Sequence, residues 1–151
     1  RFLCEDVGDS GQFMTLFVAE VSPANDELVW VRAGHEPAWC YRTKTDAFVT
    51  AGGAGLPLGV TETAEFERQE MRLGAEDILV IGTDGIWETL DGQGNMFGKQ
   101  RVEEIIRTHA DLPARRIVEA VMSALDRFRS GATVVDDATL VVVKRSPMPP
   151  G

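Results

Sequence analysis

Up to about residue 82, apolar positions come in short runs broken by turn residues; beyond it they recur at helical spacing. The run FMTLFVAE at residues 13–20 is rich in aromatic and β-branched side chains and predicts a largely buried strand. SPAND at 22–26 supplies the Pro, Asn and Asp of a turn. In ELVWVRAGH, residues 27–35, Leu28, Trp30 and Arg32 alternate with Val29, Val31 and Ala33, which predicts a second strand. AWCYRT at 38–43 predicts a third. Connections this short suggest an antiparallel meander. The segment TAGGAGLPLG at 50–59 is too rich in glycine for regular structure. A phosphate-cradling loop needs a helix directly after its glycines, and Pro57 and Gly59 forbid one, so a structural loop is expected. FERQEMRL at 66–73 alternates as an edge strand would, and ILVIG at 78–82 reads as a central strand.

The period then changes. In residues 98–109, Val102, Ile105, Ile106 and His109 share one helical face. In residues 113–130, Pro113 sits where a first turn tolerates it, and Ile117, Val121, Leu125 and Phe128 form a stripe. ATLVVVKR at 138–145 predicts a closing strand, and the Pro-rich end of SPMPPG reads as a disordered tail over 147–151. Strands, then two helices, then a strand predict an α+β layered domain over residues 1–146.

Composition narrows the options. With 151 residues, 44% of them hydrophobic, one domain with a core is expected. A net charge of −9 and no basic cluster longer than a pair argue against nucleic acid and anionic membranes as partners. No apolar run nears the roughly 20 residues of a membrane span, so direct membrane insertion is not expected. Cys4 and Cys40 are too few and too far apart for a disulfide framework, which favours a reducing, cytoplasmic setting. The opening RFLCEDVG lacks an initiator methionine and is apolar in its first turn; it reads as the interior of a helix, and the chain as a fragment.

The chemistry sits in carboxylates. Asp84 follows the strand at 78–82 at once, and Asp136-Asp137 precede the strand at 138–145. If those strands are antiparallel neighbours, the acids reach one sheet edge. Oxygen-only ligands without nearby His or Cys suit hard cations such as Mg²⁺ or Mn²⁺. The plainer alternative is that Asp84 caps a short helix beginning at Ile86 and that Asp136-Asp137 form a solvated loop. His35 could act as an acid toward a leaving oxygen, or hydrogen-bond structurally in its AGHEP turn. His109 reads as a residue of a helix's last turn, and DGQGN at 91–95 as a turn rather than a calcium loop. Cysteine and histidine lack zinc-ligand spacing.

GTDGIWETLDGQGNMFGKQRV and DDATLVVVKR, with Phe13-Met14-Thr15, Ala33-Gly34-His35-Glu36-Pro37 and Pro57-Leu58-Gly59 in order before them, resemble the metal-dependent serine/threonine protein phosphatase (PPM) family. The resemblance is to its bacterial branch, typified by the stage II sporulation protein E phosphatase and regulators of the general stress response. It implies a β-sandwich flanked by helices, with two Mn²⁺ or Mg²⁺ ions at one end activating a water that attacks phosphorus. By the same resemblance Asp84 and Asp136 are metal ligands and catalytic residues, Asp137 supports them, and Gly85 lets the backbone pass close to the ion. Thr83 and Thr139 become supporting hydroxyls, unless core packing explains them.

The family's metal-bridging Asp-Gly motif would fall before Arg1, so the resemblance covers the C-terminal part of a domain, and this chain alone would lack a complete metal site. The implied substrate is phosphoserine on a small anti-anti-sigma-type regulator, with a sensor or receiver domain upstream. A catalytically inactive, partner-binding relative is the rival reading.

Overall fold

The computed structural model describes residues 2–7, 10–22, 24–131 and 136–145. The expected tail at 147–151 and the outer limits of the 1–146 domain lie outside the described residues. Along the chain come α1 (Phe2–Val7), β1 (Leu16–Ser22), β2 (Glu27–Ala33), β3 (Ala38–Arg42), β4 (Ala47–Ala51), β5 (Arg68–Arg72), β6 (Ile78–Gly82), α2 (Asp84–Trp87), α3 (Lys99–Thr108), α4 (Ala114–Arg129) and β7 (Leu140–Lys144). This is a mixed α and β chain with two antiparallel sheets, of the α+β class expected. It divides into two compact units, Arg1–Pro37 with Ala51–Leu73, and Ala38–Thr50 with Gly74–Gly151.

The first unit holds the sheet β1-β2-β5. β1 runs antiparallel to β2 from Leu16↔Ala33 to Ser22↔Glu27, and β5 lies at the other edge, as its alternation predicts. β1 is shorter than expected and is not buried: Leu16 and Val18 are exposed, as are Phe13 and Met14 before it. Aromatic and β-branched content marks a strand but not its burial, and an edge strand leaves its side chains partly uncovered. Of the irregular loop expected over residues 50–59, Thr50 and Ala51 instead end β4 and Leu58 bridges to Met14, while residues 52–57 are irregular and held by named bonds. Trp30 Nε1 donates to Gly52 O (2.6 Å), Arg32 Nε and Nη2 donate to Gly53 O (2.9 and 2.7 Å), and Gly34 N donates to Gly55 O (3.1 Å). Gly34 has φ +68°, and a Cβ there would meet Pro57 Cγ at 2.5 Å, so no other residue fits that turn.

The three-strand meander does not form. β2 pairs with β1 and β5, whereas β3 pairs with β4 and with β6, antiparallel, through Trp39↔Val80 to Tyr41↔Ile78. The Gly34 turn and Pro37, which has no N–H to give a ladder, end the first pairing. β3 then differs in kind: Ala38, Trp39, Cys40 and Tyr41 are all buried, unlike the alternating β2. β4 was hidden by the glycines that follow it; its signal is the Phe48-Val49-Thr50 run.

The second unit holds the sheet β4-β3-β6-β7, in which β6 is central as its apolar run predicts. Its core gathers Trp39, Ile78 and Val80 of the sheet with Val102 and Ile106 of α3 and Ile117, Val121 and Leu125 of α4. Pro113 stands one residue before α4, at its N-cap position. Asp77, at the start of β6, is the buried charge among the described residues; it accepts from Gly74 N at 2.8 Å and pairs with Arg42 at 2.5 Å. No helix among the described residues is long and apolar enough to cross a membrane.

Candidate functional site

β6 and β7 are antiparallel neighbours, in register from Ile78↔Lys144 to Gly82↔Leu140. The condition set by the sequence is therefore met. Asp84 leaves one strand where Asp136 and Asp137 approach the next, and a backbone bond from Thr83 N to Thr139 O (3.1 Å) carries the pairing one step past the ladder.

Asp84 is the first residue of α2, not its cap. Thr83 holds the N-cap position, extended at φ −92° and ψ 158°, and makes no side-chain cap bond. The capping alternative for Asp84 is thereby corrected: the chain turns helical at Asp84, two residues before the start at Ile86. Asp84 Oδ1 accepts from Gly85 N at 3.0 Å, and Asp136 Oδ1 accepts from Asp137 N at 2.8 Å. Asp84, Asp136 and Asp137 are exposed, and none forms an ion pair among the described residues.

Gly85 faces protein backbone. A Cβ on it would lie 2.4 Å from Asp137 O, while its own carbonyl accepts the Thr89 hydroxyl at 2.6 Å. The glycine thus lets α2 lie against the segment carrying Asp137. Behind it, Ile86 and Trp87 are buried, and the Trp87 ring packs at 5.3 Å against that of Trp39, tilted by 41°, with Lys99 Nζ 4.9 Å from the Trp87 ring centre. Thr83 and Thr139 are not core residues: Thr83 Oγ1 donates to Asp137 O (3.2 Å) and accepts from Thr139 N (3.0 Å).

The donor set fits a hard cation in kind and falls short in number. Oxygen ligands suit Mg²⁺ or Mn²⁺, but no group of three or more His, Cys, Asp or Glu gathered for a metal occurs among the described residues.

The other candidates lie elsewhere along the chain. His35, in the first unit, has Nδ1 2.8 Å from Glu36 O and its carbonyl on Arg32 Nη1, which is the hydrogen-bonded turn geometry expected of it. His109 follows the last turn of α3, with Nδ1 2.8 Å from Ile105 O. Residues 91–95 are a turn closed on Asp91, whose carboxylate accepts from Gln93 N, Asn95 N and Asn95 Nδ2. Those bonds, Asn95 foremost, hold the Asp91 carboxyl below its ordinary range. Cys4 and Cys40 are free thiols, and burial pushes the Cys40 thiol up to about 11.

The two antiparallel sheets match the fold of solved PP2C-type phosphatase domains. Over 86% of this chain and 51% of that one, the SiaA-PP2C domain of Pseudomonas aeruginosa superposes with a TM-score of 0.74 at 20% identity. The phosphatase domain of the cell fate determinant SpoIIE from Bacillus subtilis, from a Mn-presoaked crystal, gives 0.63 at 21% identity over 91% and 59%. These likenesses concern the fold. Among sequences, Phosphoserine phosphatase RsbU of Bacillus subtilis is 26% identical over 137 residues, which are 91% of this chain and 40% of that protein. The profile of the Stage II sporulation protein E (SpoIIE) family matches residues 1–146, and the chain belongs to that family. It spans less than half the length of the curated relatives it matches.

Proposed function

We propose that this chain is the C-terminal part of a Mn²⁺- or Mg²⁺-dependent protein phosphatase domain acting on phosphoserine, with Asp84 and Asp136 as cation ligands. The observation that carries the proposal is the β6–β7 pairing, which brings the exit of one strand beside the approach to the other. Membership of the SpoIIE family and a relative named as a phosphoserine phosphatase support it.

In this reading Asp84 and Asp136 present anionic oxygens, Asp137 shapes the segment between them and β7, and Gly85 allows the close approach of α2. A bound Mn²⁺ or Mg²⁺ supplies Lewis-acid polarisation of a phosphoryl group and makes a water acidic near neutral pH. The remaining ligands come from sequence upstream, and the exposed apolar residues of β1 offer that portion of the domain a surface to cover. The substrate is a phosphoserine protein of the small anti-anti-sigma type, in the cytoplasm, with a sensor or receiver domain preceding the catalytic one; these follow from the branch resembled.

The test is release of phosphate by the intact protein from a panel of phosphoserine, phosphothreonine and phosphotyrosine peptides, with Mn²⁺ and with EDTA. Turnover of phosphoserine that EDTA abolishes is expected. A folded protein that turns over none of them at any Mn²⁺ concentration contradicts the proposal and favours the partner-binding module.

A further inference from the structure

The structure assigns Thr83 a positioning role: its hydroxyl locks the segment bearing Asp136 and Asp137 to the start of α2, and so sets the spacing of the proposed ligand carboxylates. The inference rests on the metal reading above.

After Gly82↔Leu140, the next residues facing each other across β6 and β7 are Thr83 and Thr139. In a hydrogen-bonded antiparallel pair, each residue gives its N–H to the other's carbonyl. Here only one of those two bonds is made by backbone alone, from Thr83 N to Thr139 O. The Thr83 carbonyl has left the ladder to accept from Ile86 N at 3.1 Å, which closes the first turn of α2. The Thr139 N–H that it abandons is taken by Thr83 Oγ1 at 3.0 Å, and the same hydroxyl donates to Asp137 O at 3.2 Å.

One side chain thus replaces a backbone acceptor and adds a donor. β6 can break into a helix at Asp84 while the partner segment keeps its register. A hydroxyl can accept and donate at once through one atom, as Thr83 Oγ1 does here. Serine keeps both bonds; valine keeps the shape and loses both. The close contact at Gly85 brings Asp137 within range, and Thr83 fixes where along α2 it rests.

The experiment is calorimetric titration of Mn²⁺ into the intact protein and its Thr83→Val and Thr83→Ser variants, with thermal melts without metal. Groups that orient ligands from behind cost about 10- to 100-fold in metal affinity when removed. Thr83→Val is expected to weaken Mn²⁺ binding roughly 10-fold or more while melting cooperatively, and Thr83→Ser to bind as the wild type does. Wild-type affinity in a folded Thr83→Val protein, or a serine variant as weak as the valine one, overturns the role of Thr83 alone. A wild-type protein that binds no Mn²⁺ overturns the metal reading and this role with it. Should valine prevent folding, Thr83→Ala replaces it under the same criteria.

Discussion

At Gly85 the constraint is steric and comes from the backbone of Asp137, which cannot swing aside as a flexible side chain would. A Gly85→Ala substitution therefore forces α2 and the Asp137 segment apart. We expect it to destabilise the protein by about 1–3 kcal/mol, the usual cost of overpacking, read as a lowered melting temperature. A melt unchanged from wild type would show that the segment yields freely. The placement of Asp84 and Asp136 was legible in the sequence because an acid at a strand end is a local feature. The resemblance marked Thr83 as a supporting hydroxyl, but the bonds it makes were not legible, since its partner Thr139 lies 56 residues away and only the register of two strands brings them together. Cys40 shows the same limit: its burial follows from its place in β3, and no neighbour in sequence announces it.

Between elements, Asp46 ties the β3–β4 turn to α3. It accepts from Arg107 Nε at 2.5 Å and from the Tyr41 hydroxyl at 2.9 Å. The Arg107 bond, and then that of Tyr41, hold its carboxyl below its ordinary 3.8. A carboxyl whose pKa is lowered by folding adds stability above its unfolded value and loses it as the pH falls through the folded one. The melting temperature of the wild type should thus exceed that of Asp46→Asn at neutral pH, and the gap should close below about pH 4. The gap will be small, because both side chains are substantially exposed. A gap that widens with acid would contradict the assignment.

Helices and the central strand were readable because their periodicity reports burial directly, as Val102, Ile106, Ile117 and Val121 show. Strand partners were less so. The short link from β2 to β3 looks like a hairpin connection, yet Gly34 and Pro37 end one pairing, and the all-buried β3 takes another.

For the whole molecule, the chain's membership of the SpoIIE family rests on a match over nearly its full length, while its relatives extend well beyond it. The central claim is narrower than family membership: it is the proposal that Asp84, just past β6, and Asp136, just before β7, hold the cation on which phosphate release depends. The most direct test is Mn²⁺-dependent release of phosphate from p-nitrophenyl phosphate by the intact protein and by its Asp84→Asn and Asp136→Asn variants. Circular dichroism would confirm that all three are folded. We predict that turnover requires Mn²⁺ and falls by about 100-fold or more in each variant, as expected when a charge that stabilises the transition state is lost. Turnover that survives both substitutions at the wild-type Mn²⁺ requirement would contradict the account.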